Sequence, residues 1–165
     1  MFSVGVLTIS DKGASGERAD RSGQVIKDML RAIGGETVAY EIVPDEAEVI
    51  SRTLAAWADG DKVALILTTG GTGLSRRDVT PEATLAILDR VVPGIPEAMR
   101  LRTLDRAPTA ILSRAVAGMR KECLIVNLPG NPKAVRECLE VVLPAIPHGI
   151  EIMQGIYTEH PAEKT

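Results

Sequence analysis

The chain has 165 residues, of which 45% are hydrophobic and 2% aromatic, and its formal net charge is -3. This length predicts one domain with a sizeable core, which must be built from Val, Ile, Leu and Ala because aromatic residues are so few. The scarcity of aromatic side chains argues against nucleic-acid binding by base stacking, and the net negative charge argues against a broad footprint on a phosphate backbone. No stretch approaches the roughly 20 consecutive apolar residues of a membrane span.

The cysteines and the start of the chain indicate the compartment. Cys123 and Cys138 have no CxxC spacing, so neither a disulfide framework nor a zinc site is predicted. The apolar start, residues 2–9, has no basic segment before it and meets Asp11 too early for a signal peptide. We therefore expect a cytoplasmic protein that has no membrane or nucleic-acid partner.

Predicted strands and helices alternate along the chain. Apolar runs bounded by turn residues predict strands at residues 3–9, 37–43, 63–67 and 122–128. Apolar residues at helical spacing predict helices at residues 23–33, 46–58, 81–88, 93–104, 132–143 and 147–156, whereas residues 110–119 are ambiguous. This alternation predicts an α/β fold, a three-layer α/β/α sandwich with a mostly parallel sheet, as one domain over residues 1–165.

The most informative segment is residues 65–82, with the sequence LILTTGGTGLSRRDVTPE. A predicted strand gives way there to a loop of glycines and threonines, whose backbone amides can approach a ligand closely. A helix with its N-cap at Thr80 is predicted to follow, and helix N-termini favour negative charge. Arg76 and Arg77 add cationic donors, and Asp78 adds a hard oxygen suited to a divalent cation. These features predict a site for a phosphorylated ligand; the alternative is an ordinary strand-to-helix turn with solvated charges.

Two common nucleotide-binding motifs do not fit this segment. Gly71-Thr72-Gly73 begins a GxG pattern, but Arg76 stands where a dinucleotide fingerprint has its third glycine. No GK[ST] sequence follows, so the segment is not a P-loop either. Any phosphate binding here must use a different backbone arrangement.

Polar loops also follow the other predicted strands. In sheets of this kind ligands bind outside the carboxyl ends of the strands, so each such loop is a candidate for the site. The first loop contains Ser10, Asp11 and Asp20, and these aspartates are either functional or merely solvated. The second contains Asp45, which either serves the site or forms a capping box with Glu48 three residues on.

The loop after the last predicted strand starts another helix. Asn131 is the expected N-cap and Pro132 the first helical residue, which is a structural role. Gly130 before the cap and Lys133 after it favour an anion site at the same place.

Four motifs, in this order along the chain, closely resemble those of the molybdopterin adenylyltransferases of bacteria and of the related domains of plants and gephyrin. They are SDKGASG with DRSG, VPDE, TTGGTGLSRRDVTPEAT and LPGNPKAVRECLE. The resemblance covers Val4 to about Met153 and implies the three-layer molybdopterin-binding fold and a homotrimer. The implied reaction is a Mg²⁺-dependent transfer of AMP from ATP to molybdopterin with release of pyrophosphate. The adenylylated product is expected to pass to a molybdate-insertion protein.

The resemblance also implies roles for single residues. Asp45 and Asp78 match the family's essential aspartates, and we expect both to be catalytic and to bind the metal. Ser113 matches a serine on the pterin side of the family's site. The residues expected to bind nucleotide and substrate are Ser10, Asp11, Thr69, Gly70, Gly71, Thr72, Gly73, Arg77, Ser113, Pro129, Gly130, Asn131, Pro132 and Lys133.

Two other functions stay open at this point. A non-catalytic protein of the same fold could bind or carry molybdopterin without adenylylating it. A related bacterial branch has the GTG loop without the RRD sequence, so the presence of Asp78 argues against this alternative. The third possibility, an interaction scaffold, is the weakest because the chain shows neither a linker nor a second domain.

Overall fold

Six strands form one sheet with helices on both faces in the computed structural model of the chain, which describes residues 1–60 and 62–156. The strands are β1 (Phe2–Ile9), β2 (Gly35–Val43), β3 (Leu65–Thr69), β4 (Arg90–Val91), β5 (Ala117–Arg120) and β6 (Cys123–Leu128). The last nine residues of the predicted domain lie outside the described part.

The sheet is mostly parallel, as predicted. Its strand order is β2-β1-β3-β6-β5-β4. Strands β2, β1, β3 and β6 run parallel to one another, whereas β5 and β4 add an antiparallel edge. The loops that follow the four parallel strands therefore meet at one edge of the sheet, where a ligand site is expected.

Helices cover both faces of this sheet. The longer ones are α2 (Arg21–Arg31), α3 (Ala47–Asp59), α5 (Gly94–Thr103), α6 (Pro132–Val142) and α7 (Ile146–Met153). Two short ones, α1 (Asp11–Ala14) and α4 (Thr80–Leu85), and a 3-10 helix (Pro108–Leu112) lie between strands.

The core consists of two apolar layers, one on each face of the sheet. Side chains alternate along β1, so Val4 and Val6 pack in one layer and Leu7 in the other. The first layer includes Ile26 of α2, and the second includes Leu54 of α3. The predicted three-layer α/β/α architecture is thereby confirmed.

The structure corrects several predicted boundaries. Strand β3 continues through Thr68 and Thr69, although the sequence prediction ended it at residue 67. The ambiguous residues 110–119 contain the end of the 3-10 helix, a connecting segment at 113–116 and the start of β5. The prediction missed both α1 and the two-residue strand β4. No helix within the described ranges is both long and apolar enough to cross a membrane.

Candidate active site

The loop after β3 depends on its glycines. Gly70 has φ +100°, and a Cβ there would lie 2.2 Å from the carbonyl oxygen of Ile9. Gly71 has φ +65°, and a Cβ there would lie 2.2 Å from Oγ1 of Thr80. Positive φ and close backbone approach both favour glycine, so the bare loop predicted from the sequence has a steric cause.

Thr80 fixes this loop to the helix that follows. Its hydroxyl donates to the carbonyl of Gly70 at 2.9 Å, and its backbone amide donates to the carbonyl of Gly71 at 3.1 Å. The predicted N-cap at Thr80 is therefore wrong: Val79 is the N-cap of α4, and Thr80 is the first helical residue. The Thr80 hydroxyl is bonded to the carbonyl of Gly70 and makes no capping bond.

Two carboxylates flank the glycine loop. Oδ1 of Asp45 would lie 3.3 Å from a Cβ at Gly71, and Oδ2 of Asp78 would lie 2.9 Å from a Cβ at Gly73. The charge of Asp78 acts on Asp45, since it contributes to raising the pKa of that carboxyl. The structure thus places near the same loop the two aspartates to which the family resemblance gives catalytic roles.

Asp45 does not cap a helix. The N-cap of α3 is Glu46, which makes no side-chain capping bond, so the capping box with Glu48 is not formed. Oδ2 of Asp45 instead accepts a hydrogen bond from the backbone amide of Asp11 at 2.9 Å, and the amide of Asp45 donates to Oδ1 of Asp11 at 3.0 Å. The capping-box alternative for Asp45 is therefore wrong.

Burial is the main influence on the charge of Asp45, and it raises the pKa of this carboxyl. The bond from the Asp11 amide opposes that rise. The negative charges of Asp11 and Asp78 raise the pKa further, while the charge of Arg77 lowers it. A nearby cation would relieve this crowding of negative charge.

Arg77 is held by Asp11. Its Nη2 donates to both oxygens of the Asp11 carboxylate at 2.8 Å, and its Nε donates to Oδ2 at 3.2 Å. Arg77 holds the pKa of the Asp11 carboxyl below its usual value, chiefly through these hydrogen bonds. We expected the Arg77 guanidinium to neutralise a phosphate group. In the structure it neutralises the carboxylate of Asp11.

Asp20 of the first loop caps a helix and accepts two side-chain hydroxyls. It is the N-cap of α2 and accepts the backbone amide of Gly23 at 2.8 Å. It also accepts the hydroxyls of Thr8 at 2.6 Å and of Tyr40 at 2.8 Å. Burial, and then this bond to Asp20, raises the pKa of Tyr40 to about 12. These bonds show that Asp20 is not merely solvated, and a functional role for it stays a prediction. Ser10 similarly caps α1 through the amide of Gly13.

The loop after β6 lies against the glycine loop. The Thr69 hydroxyl donates to the carbonyl of Pro129 at 2.7 Å, and the Ser22 hydroxyl donates to that of Gly130 at 2.8 Å. Asn131 caps α6, as predicted, by accepting the backbone amide of Lys133 at 2.9 Å. The side chain of Lys133 is exposed, and the residue lines neither of the two clefts beside these loops.

These clefts share the glycine loop as a common wall. The first has a volume of about 810 Å³ and lies toward the loop after β1; the second has about 530 Å³ and lies toward α5 and the 3-10 helix. Gly71, Gly130 and Asn131 line both. Of the other expected residues, the first cleft is lined by Ser10, Thr69, Gly70 and Pro132, and the second by Thr72, Gly73, Asp78, Ser113 and Pro129.

Sequence reasoning missed two residues that support the loop. Arg114 donates from Nε to the carbonyl of Gly73 at 2.7 Å, and it directly follows Ser113, which the family resemblance had already indicated. Asn127 is fully buried and donates from Nδ2 to the hydroxyls of Thr68 and Thr84, at 3.0 Å each. The sequence signal that could have identified Asn127 is a single polar residue within the apolar run of β6.

The donor set suits one kind of metal ion. Within residues 1–60 and 62–156 no three His, Cys, Asp or Glu side chains group closely enough to hold a metal by themselves. Mg²⁺ takes one or two carboxylates and completes its shell with substrate phosphates and water. Asp45 and Asp78 fit that mode, and they do not fit a metal site built from the protein alone.

Comparison with known proteins is consistent with this geometry. Residues 5–148 match the family described as a probable molybdopterin binding domain. The chain is 44% identical over 158 residues to a molybdopterin adenylyltransferase of Helicobacter pylori, covering 94% of this chain and 90% of that protein. It is 48% identical over 162 residues to gephyrin of Dictyostelium discoideum, covering 92% of this chain and 22% of gephyrin.

A solved structure has the same fold. The molybdopterin biosynthesis enzyme MoaB of Thermus thermophilus superimposes with a TM-score of 0.89 at 54% identity, covering 94% of this chain and 98% of that one. The family resemblance carried by the four sequence motifs is thereby confirmed, as is the fold class.

Proposed function

The chain belongs to the family of molybdopterin binding domains, and from this membership we propose that it is a molybdopterin adenylyltransferase of molybdenum cofactor biosynthesis. In the reaction, a terminal phosphate oxygen of molybdopterin attacks the α-phosphorus of ATP. A new P–O bond forms to the α-phosphorus, and the bond between that phosphorus and the oxygen bridging to the β-phosphorus breaks. The products are adenylylated molybdopterin and pyrophosphate.

One observation supports this function most directly: two carboxylates lie close to a bare glycine loop that lines two adjoining clefts. Two substrates must meet at one phosphorus atom, and two adjoining clefts provide a place for each. A loop without side-chain bulk lets phosphate groups reach backbone amides at their boundary. Reactions of this type depend mainly on positioning and on neutralising charge, and these features serve both needs.

We propose that Asp45 and Asp78 would hold Mg²⁺, whose charge when bound neutralises phosphate oxygens and the leaving pyrophosphate. The chain itself orients the reacting groups. Gly71, Thr72 and Gly73 offer backbone amides to phosphate oxygens, whereas the amide of Gly70 already donates to the carbonyl of Leu128 at 3.3 Å. Ser113 and the Pro129–Pro132 loop bind the pterin. A phosphate nucleophile is already deprotonated near pH 7, so neither aspartate needs to act as a general base.

The first polar loop has a different role from the one expected for it. Asp11 and Arg77 support the site by holding Asp45 in place, since their mutual bonds leave the Asp45 carboxylate beside Gly71. Lys133 stays a candidate phosphate-binding residue, and its exposed position means that its side chain would have to turn toward the first cleft to act.

The alternative is a non-catalytic molybdopterin-binding or carrier protein. Such a protein needs the second cleft and the pterin residues, but it has no use for a crowded pair of carboxylates beside the glycine loop. Pyrophosphate release from ATP separates the two functions: the proposal predicts release that requires molybdopterin. A protein that binds molybdopterin tightly without releasing pyrophosphate would be a carrier.

The remaining parts of the proposal concern assembly and cellular context. We propose a homotrimer that passes the adenylylated product to a molybdate-insertion protein, in accord with the family resemblance. A cytoplasmic location, expected from the sequence, stays a prediction.

A further inference from the structure

Arg114 reaches across from the segment of Ser113 to the segment that carries Asp78. Its Nε donates to the carbonyl of Gly73 at 2.7 Å, its Nη2 donates to the carbonyl of Asp78 at 2.5 Å, and its Nη1 donates to the carboxylate of Glu82. The backbone amide of Arg114 donates to the carbonyl of Thr72 at 2.9 Å. One residue therefore binds the segment from Thr72 to Glu82 at four points.

Besides Arg114, the segment between Gly73 and Asp78 is tied to the rest of the molecule by the pair of Arg77 with Asp11, which is exposed to solvent, and such pairs contribute little stability. Residues 74–77 are exposed to solvent. Within the segment, the amide of Ser75 donates to Oδ2 of Asp78 at 2.9 Å, and the amide of Asp78 donates to the carbonyl of Ser75 at 3.0 Å. These bonds close a small turn, but they do not attach it to the rest of the molecule. Exposed backbone of this kind opens easily unless something outside it fixes its ends.

We propose that Arg114 is a positioning residue that fixes the Asp78 carboxylate at the boundary of the two clefts by holding both ends of this turn. The inference rests on the proposed function for its kinetic consequences and on the hydrogen bonds alone for its structural ones. Arg114 needs to touch neither substrate, because it acts through the carbonyls of Gly73 and Asp78. It also links the pterin-side segment to this carboxylate, since Ser113 is its neighbour in the chain.

The planar guanidinium is what makes this role possible. Its donors point in fixed directions, so a single side chain can bind two carbonyls and one carboxylate at the same time. A lysine ammonium is a compact point charge on a flexible stem and cannot span the same three acceptors. Arg114→Lys therefore keeps the charge and removes the positioning, which separates the two contributions.

The structural consequence can be measured without any substrate. Amide hydrogen exchange at Ser75 and Asp78 reports the opening of the turn. We expect Arg114→Lys and Arg114→Ala to speed exchange at both amides by about tenfold or more. Arg106→Ala is the matched control, because Arg106 also pairs with a glutamate, Glu140, but binds no carbonyl of this turn. Exchange that is unchanged in both Arg114 variants would overturn the proposal, whatever the enzyme does.

The kinetic consequence is a loss of turnover without a loss of pterin binding. We expect kcat for pyrophosphate release to fall about a hundredfold in either variant, since small misplacements of a catalytic group have effects of that size. Molybdopterin affinity and the melting temperature should stay near the wild-type values in Arg114→Lys. Added guanidinium ion should restore part of the turnover of Arg114→Ala, because it can occupy the vacated position. Wild-type turnover in both variants would contradict the positioning role, as would a loss that follows the melting temperature and resists guanidinium.

Failure of the proposed function has a different signature. A wild-type protein that releases no pyrophosphate would remove the adenylyl transfer, while the exchange rates at Ser75 and Asp78 would still decide whether Arg114 holds the turn.

Discussion

Asp78 is the residue whose charge the proposed chemistry needs most directly. Asp78→Asn keeps the shape of the side chain and an oxygen to accept the amide of Ser75, but it removes the negative charge that a Mg²⁺ ion requires. We expect the rate of pyrophosphate release to fall by about a thousandfold or more, because losing a metal ligand in a charge-crowded transition state costs several kcal/mol. Molybdopterin binding should be largely intact.

A control for this variant is Asp89→Asn. Asp89 also accepts a backbone amide through its side chain, that of Lys121 at 2.7 Å, but it lies away from both clefts. This substitution should leave turnover unchanged. Near-normal turnover of Asp78→Asn at saturating Mg²⁺ would remove Asp78 from the mechanism.

At the residue scale, the features that could be predicted from the sequence are those that depend on neighbouring residues in the chain. The glycines of the GGTG loop and the N-cap at Asn131 follow from short-range sterics and capping, and both are present in the structure. The bonds that define Asp45 come from Asp11, which is 34 residues away. The bonds of Arg114 to Gly73 and Asp78 span 41 and 36 residues. No local pattern distinguishes such a residue from a solvated charge.

At the element scale, helix α4 is attached to the sheet by buried hydroxyls. The hydroxyl of Thr84 donates to the carbonyl of Thr80 at 2.8 Å and accepts from Nδ2 of Asn127 at 3.0 Å. Thr84→Val keeps the shape of the side chain but leaves a buried amide donor with one partner fewer. We expect the free energy of unfolding to fall by about 1–3 kcal/mol, the usual range for an unsatisfied buried polar group. Urea denaturation measures it.

Thr103→Val is the control for this variant. Thr103 is also buried, and its hydroxyl donates to the carbonyl of Met99 within its own helix at 2.7 Å. Removing that hydroxyl orphans no donor, so this variant should be nearly neutral. Equal losses in the two variants would contradict the role given to the Asn127 network.

A second link joins the end of α3 to β5. Asp59 accepts from Nη2 of Arg120 at 2.7 Å and from Nε at 3.0 Å, and these hydrogen bonds are the main cause that lowers the pKa of the Asp59 carboxyl. A lowered folded-state pKa contributes stability above the unfolded value of about 3.9, and that stability is lost as the pH falls through the folded value. Asp59→Asn should therefore have a lower melting temperature than the wild type at pH 7.

The difference should shrink at acid pH. The wild-type carboxylate becomes protonated as the pH falls through its lowered pKa, so the two melting temperatures should converge there. Asp28→Asn is the control, because the pair of Asp28 with Arg31 is exposed and such pairs contribute little. A difference between Asp59→Asn and the wild type that is constant from pH 7 to pH 3 would show that the charge of Asp59 is not its cause.

Most elements could be predicted because their hydrophobic patterns are strong, and the failures have identifiable causes. Strand β3 was ended too early because Thr68 and Thr69 are polar, yet both are buried, and Asn127 satisfies Thr68 by a hydrogen bond across the sheet. Strand β4 has two residues and exposes both, so it carries no pattern. Strand β5 reads AGMR and is held by its pairing with β6 rather than by its own propensity.

At the scale of the whole molecule, the proposed trimer draws support from exposed apolar side chains and not from the apolar face of α6. The apolar face of residues 135–143 needs no partner subunit, because Val135, Leu139 and Val142 are buried within one chain. Exposed apolar side chains occur elsewhere, at Leu101 and Ile152 among others. Light scattering at micromolar concentration should give three times the mass of one chain, and the mass of a single chain would contradict the trimer.

The fold and the edge of the sheet that carries the site could both be predicted, since alternating elements determine a parallel sheet and its carboxyl edge. The division of that edge into two clefts could not be predicted. It depends on where α5 and the 3-10 helix pack, and the sequence between residues 94 and 112 has no strong pattern that fixes their distance from the glycine loop.

The most direct test of the proposed function follows the transferred group itself. Purified protein, ATP, Mg²⁺ and molybdopterin are mixed, and both products are quantified, the adenylylated pterin by mass spectrometry and pyrophosphate by a coupled assay. We expect one pyrophosphate for each adenylylated molybdopterin, with no pyrophosphate released when molybdopterin is omitted. Pyrophosphate release without a matching adenylylated pterin, or pterin binding without either product, would contradict it.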